Sequence, residues 1–113
     1  MQAVVEGRIT GDVTIETLAS GKTVANVRIA ENKVYRDDKG ARQTKTNFHT
    51  VKVWNQVASA LSRVAAKGDL VKFRVTVTPH SYLNERKAEV INELKLNANR
   101  FKLVRQARAN QNN

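Results

Sequence analysis

Along most of this chain apolar and polar side chains alternate, the period of a strand with one face buried and the other solvated. Val24 to Glu31 puts Ala25, Val27 and Ile29 on one parity and Asn26 and Arg28 on the other. Leu70 to Thr78 repeats the pattern, with Val71, Phe73, Val75 and Val77 opposed to Lys72, Arg74, Thr76 and Thr78. Pro79 is expected to end that strand, because it has no N–H to give to a ladder. A last strand over Ala88 to Asn97 has Val90, Leu94 and Leu96 inward and Glu89, Glu93 and Lys95 outward. At the start, Ala3 to Leu18 reads as one long strand bent at Gly7 and Gly11, since glycine inside a strand marks a bulge or a close backbone approach. After Trp54 the period lengthens to about 3.6 residues. Val57, Ala58, Leu61, Val64 and Ala65 predict a helix over Asn55 to Ala66, with Asn55 as N-cap and Gly68 as C-terminal stop.

Thr46 to Trp54 is the third strand, and its parity is unusual. Thr46, Phe48, Thr50, Lys52 and Trp54 share one face, while Asn47, His49, Val51 and Val53 share the other. The two aromatic rings travel with the lysine rather than with the valines. Rings flanking a cation on a solvated face make a stacking platform for nucleic-acid bases, with the charge left for phosphate. The alternative is that Phe48 and Trp54 are core or interface residues and Lys52 snorkels past them. The stretches between strands carry similar pairings. Asn32 to Lys45, a loop or hairpin tip with its turn at Asp37-Asp38-Lys39-Gly40, surrounds Tyr35 with Lys33, Arg36, Lys39, Arg42 and Lys45. His80 to Lys87, a second loop, sets Tyr82 beside Arg86 and Lys87.

Composition sharpens this picture. Lys and Arg number 20 against 10 Asp and Glu, for a net charge of +10, and such an excess implies a polyanionic partner, nucleic acid first. An anionic membrane would call for a basic amphipathic helix, and the predicted helix carries only Arg63, so no membrane partner is expected. With zero cysteines, disulfides, thiolate metal sites and thiol nucleophiles are excluded. Met1 leads straight into the alternating pattern, so no signal peptide is expected. Catalysis is poorly served. The acids are scattered apart from Asp37-Asp38, Ser20-Gly21-Lys22-Thr23 lacks the upstream glycine of a phosphate loop, and His49 and His80 lie in different elements. The chain reads as a non-enzyme with no cofactor and no metal, and His49 as a structural residue.

The order of three strands, one helix and two strands is that of an all-β, five-stranded OB-fold barrel with the α-helix between strands 3 and 4. Four segments then carry a resemblance: Val5-Glu-Gly-Arg-Ile-Thr-Gly-Asp12, Gly21-Lys-Thr-Val-Ala-Asn-Val-Arg-Ile-Ala30, Thr46 to Trp54, and Lys67-Gly-Asp-Leu-Val71. In this order and spacing the chain resembles the bacterial single-stranded DNA-binding proteins, from about Val4 to Val104. The resemblance implies stacking of bases on Tyr35, Phe48, Trp54 and Tyr82. Only Phe73, assigned to the core by its parity, and Phe101 are left over among the aromatics. Beside those rings, the phosphate contacts are expected from Arg8, Arg28, Lys33, Arg36, Lys52, Lys72, Arg74, Arg86 and Lys87.

The same resemblance implies a homo-oligomer built partly through the first strand, a tetramer or else a dimer. It implies a cytoplasmic, nucleoid-associated protein or its phage or plasmid equivalent, serving replication, recombination or repair. Val75 stands where the family usually has glycine, so the packing or the partner surface of that strand is expected to differ. The family's acidic C-terminal tip is not seen, so recruitment of repair proteins by that route is not expected. Residues 1–104 are taken as the DNA-binding domain and 105–113 as a short basic and polar disordered tail. An RNA-binding OB module or a primosomal accessory protein of the same fold is the alternative, because stacking platforms accept either backbone.

Overall fold

The computed structural model describes residues 1–107. The strands are β1 (Gln2–Ile9), β2 (Ile15–Thr17), β3 (Thr23–Arg36), β4 (Arg42–Trp54), β5 (Leu70–Asn84) and β6 (Glu89–Arg105), with one helix, α1 (Asn55–Val64), between β4 and β5. Five long strands close a ring. β1 pairs with β5, β5 with β6, β6 with β4, β4 with β3, and β3 returns to β1 through Arg8↔Ala30 and Ile9↔Ile29. The β4–β6 contact is parallel and the others are antiparallel. This is the OB-fold layout, with the short β2 added on the edge of β3. The expected first strand, Ala3 to Leu18, is thus two strands, β1 and β2, separated by the bend that contains Gly11.

The alternating parities fill the ring. Val27, Ile29, Val51, Val53, Val71, Phe73 and Val75 are buried, and α1 closes the core with Ala58 and Leu61. At Gly7 the closure is tight, because a Cβ there would lie 2.7 Å from the Ala30 carbonyl oxygen. Among the described residues, the polar exception in the core is Asp69, which is fully buried. Its carboxylate accepts from the backbone N–H of Ala66 and of Ala107, both at 2.9 Å, so one side chain ties the turn after α1 to the end of the described chain. Arg105 ends β6 and Ala107 is held by Asp69; the rest of the expected tail, 108–113, lies outside the described residues.

Asn32 to Lys45 is a hairpin tip with its turn at Asp37 to Gly40, one of its two expected forms, but the strands run much further into it than expected, and the second expected loop, His80 to Lys87, is largely strand. The β3–β4 ladder runs out to Arg36↔Arg42 and the β5–β6 ladder to Asn84↔Glu89, so each hairpin forms an arm beyond the barrel. Charge and proline hid them. Pro79 pairs with Leu94 inside β5 instead of ending it. Two residues earlier the Val77 N–H donates to the carbonyl of Met1, and alternate N–H groups of a strand point to the same edge. The missing N–H of Pro79 therefore falls on the edge where β1 has already run out, and no ladder bond is lost.

The arms also change two inward assignments. Val90 and Leu94 are 63% and 64% exposed, because the face that lines the core within the barrel continues along the arm with no core beneath it. Leu96, one step nearer the barrel, is half-buried against the core as expected. At the helix start, Asn55 does not cap. The capping position is Trp54, with extended backbone, while Asn55 itself has φ +51° and accepts from the Thr23 N–H at 3.1 Å. Gly68, at φ +93°, does not end the helix, which stops at Val64. It shapes the following turn and donates its N–H to the Ile9 carbonyl at 2.7 Å.

Candidate nucleic-acid interface

The outward parity of β3 and β4 assembles the centre of the site. Facing pairs Asn26↔Lys52, Arg28↔Thr50 and Ala30↔Phe48 put Arg28 diagonal to Phe48, within reach of long side chains. The Arg28 guanidinium carbon lies 5.0 Å from the centre of the Phe48 ring, a cation–π arrangement. Phe48 is nonetheless 55% exposed, so its remaining surface is open. Four residues along β4 from Phe48, Lys52 stands beside Asn97 of β6 in the parallel register. Trp54 is half-buried, and its indole N–H donates to the Asn97 side-chain oxygen at 2.9 Å. Indole nitrogen can only donate, so this bond fixes both the ring and the orientation of the Asn97 amide. Thr50, Lys52, Lys95 and Leu96 line a shallow groove between β4 and β6 beside these rings.

Other expected site residues lie elsewhere. Tyr35, half exposed, pairs with Gln43 far out on the β3–β4 arm. By parity it is on the opposite face of the ladder from Phe48. Tyr82 is 45% exposed on the outward face of the β5–β6 arm, with the His80 ring 5.8 Å away. Arg86 and Lys87 form the turn of that arm, their N–H groups directed at the Asn84 side chain. Several of the cations are engaged with the protein. Arg8 donates to the Gly68 carbonyl at 3.0 Å, Arg36 to the Gly40 carbonyl at 2.9 Å, and Lys33 is 3.8 Å from Glu31. Glu31 also holds His49, whose Nε2 is 3.3 Å from the carboxylate, in keeping with a structural role.

At the β3–β4 turn the Asp37 carboxylate accepts from the N–H groups of Lys39 and Ala41 and from the Gln43 amide. Chiefly the Ala41 bond holds the Asp37 carboxyl below the ordinary carboxylate range. Lys72 and Arg74 face outward on β5, but their neighbours are Lys102 and Arg100, not the rings of β4. Asn97 has no place in the sequence reading of the site. Asn97 is 43 residues from Trp54 in the chain, and no local pattern joins them.

Among solved structures, a Plasmodium falciparum protein described as an SSB complex with ssDNA is similar at a TM-score of 0.73 and 23% identity, covering 92% of each chain. A small single-stranded DNA-binding protein from Streptomyces coelicolor gives 0.71 and 22%, with 91% of this chain and 93% of that one covered. At these identities the likeness concerns the fold. In sequence, the chain is 35% identical over 65 residues to the single-stranded DNA-binding protein of Aquifex aeolicus, covering 58% of this chain and 44% of that protein. It is 30% identical over 82 residues to that of Streptococcus pneumoniae, covering 73% and 51%, so it spans about half the length of these relatives. Residues 1–104, all of β1 to α1 and β5 and nearly all of β6, match the model of the Single-strand binding protein family, and the chain belongs to that family.

Proposed function

We propose that this chain binds single-stranded DNA without regard to sequence and coats it during replication, recombination or repair, as a binding protein rather than an enzyme. The carrying observation is the outward face that joins Phe48, Arg28, Lys52 and Trp54. Exposed rings take bases by stacking, which every base permits, and the adjacent cations take phosphates. Stacking needs unpaired bases, so duplex should bind weakly at this face. The names of the relatives from Aquifex aeolicus and Streptococcus pneumoniae support the same reading. Tyr82, on the outward face of its arm, offers a further ring on which a long strand could stack, while Tyr35 faces the other way on its own arm.

Assembly into a homo-oligomer, a tetramer or a dimer, belongs to this reading. Among the described residues, β1 pairs from Gln2 to Gly7 with β5 on one side only, and such an open edge is a template for another strand. Titrating Trp54 fluorescence with oligo(dT), a duplex of equal length and poly(U), with light scattering on the same samples, tests the whole reading. Strong quenching by oligo(dT) with weak duplex binding is expected at a mass above that of the monomer. Equal quenching by duplex would overturn the stacking site, and preference for poly(U) would favour the RNA-binding alternative.

A further inference from the structure

Asn97 holds Trp54 with one end of its amide and leaves the other end without a protein partner. The indole N–H can only donate, so the atom 2.9 Å from it is the Asn97 oxygen, and the amide N–H2 group points elsewhere. Neither flanking strand offers that group an acceptor. On β4 the neighbour is Lys52, whose ammonium only donates. On β5 it is Thr76, whose hydroxyl already accepts from the Asn99 amide at 3.2 Å. Among the described residues the Asn97 N–H2 group donates to no protein group, and the half-buried side chain stands on the outward face with Lys52. The indole N–H lies in the plane of its ring. The amide that accepts from it therefore sits at the rim of the Trp54 ring and does not cover the ring's face.

We propose that Asn97 sets a preference among bases at Trp54, its N–H2 group donating to a carbonyl oxygen on the edge of the base stacked there. The inference rests on the proposed stacking of bases on Trp54 and adds a polar contact to it. A base lying on the indole face brings its edge over the rim where the amide stands. Asparagine ordinarily reads adenine by a paired contact that uses both ends of its amide, at N6 and N7. Here the oxygen is turned to the indole, so the donor alone remains, and a single donor suits a carbonyl. Thymine, cytosine and guanine carry one; adenine does not. Exchanging water for a base carbonyl gains only the net value of one neutral hydrogen bond, about five-fold in affinity. Binding therefore stays tolerant of sequence, with a bias against adenine at this one position.

Difluorotoluene has the shape of thymine and stacks as thymine does, but it is a very poor hydrogen-bond acceptor. Short oligomers of thymidine and of the difluorotoluene nucleoside, equal in length, therefore isolate the contact. The parent protein should bind oligo(dT) the more tightly, with Trp54 fluorescence quenched by both. Asn97→Asp keeps an oxygen for the indole N–H and removes the N–H2 group; its added charge weakens both oligomers alike and cancels in the ratio of their affinities. That ratio should fall about five-fold from the parent value, with Trp54 still quenched at saturation. Asn97→Val, a residue suited to a half-buried strand position, should lower the ratio as far, so the test does not depend on the aspartate being tolerated. Lys52→Gln, beside it, should weaken both oligomers and leave the ratio as in the parent. An unchanged ratio in both Asn97 variants would overturn the proposal and leave Asn97 as a support for the ring alone. So would a ratio that fell as far in Lys52→Gln. Failure of the stacking reading would show differently, as no quenching of Trp54 by either oligomer in the parent protein.

Discussion

Phe48 and Trp54 share a parity but not an environment, and their substitutions should differ accordingly. Phe48 is more than half exposed, with the Arg28 guanidinium over its ring. Phe48→Ala should weaken oligo(dT) binding by about 1–3 kcal/mol and leave the thermal midpoint nearly unchanged. Trp54 is half-buried, faces Val24 across the ladder and is anchored to Asn97. Trp54→Ala should cost a similar amount in binding together with some stability, measured by titration and calorimetry on the same variant. Phe73 is fully buried, so Phe73→Ala should instead lose about 3–5 kcal/mol of stability through the cavity it leaves. Asp69 is the polar counterpart. Removing its carboxylate with Asp69→Ala orphans the N–H groups of Ala66 and Ala107, at about 1–3 kcal/mol for each group left without a partner, and denaturant unfolding would measure the loss.

The arms are the elements in which charge disguised structure. Two-residue alternation stops at Lys33, Val34, Tyr35 and Arg36, all four exposed, because neither face of the arm has a core to bury. The ladder persists because its backbone groups are paired and its turn is tied down by Asp37. The Asp37 carboxyl titrates lower in the folded turn than its ordinary value. Its contribution to the turn is therefore fully present above that ordinary value and is lost as pH falls through the folded one. Amide exchange at Lys39 and Ala41 should accelerate in that acidic window, and in Asp37→Ala the acceleration should be present at neutral pH as well. An exchange rate that ignored both changes would show that the carboxylate does not hold the arm. At the barrel closure, Gly7→Ala would drive a methyl against the Ala30 carbonyl, so a large loss of stability is expected there. The exposed Gly40, with φ +79° but open space around it, should show only the conformational strain.

For the whole molecule, a net charge of +10 predicts a steep fall of affinity with salt. The distribution of that charge decides how much each cation contributes. Arg8 and Arg36 already donate to backbone carbonyls, so neutralising them should change the slope less than neutralising Lys52, a difference that titration at three salt concentrations would resolve. Much of this molecule was legible in its sequence. The parity of each strand, the burial of Phe73, the change of period at the helix and the company of Phe48, Lys52 and Trp54 all follow from side chains alternating along a local backbone, a geometry that needs no knowledge of distant residues. What only the tertiary structure decided was register and closure. Whether Pro79 ends a strand depends on where β1 stops, and whether Val90 and Leu94 are inward depends on how far the core extends beneath them. Which cations meet the rings, and which meet each other as Lys72 meets Lys102, depends on strands far apart in the chain being brought side by side. A period of two fixes which face a side chain takes, but ring closure fixes what stands across from it.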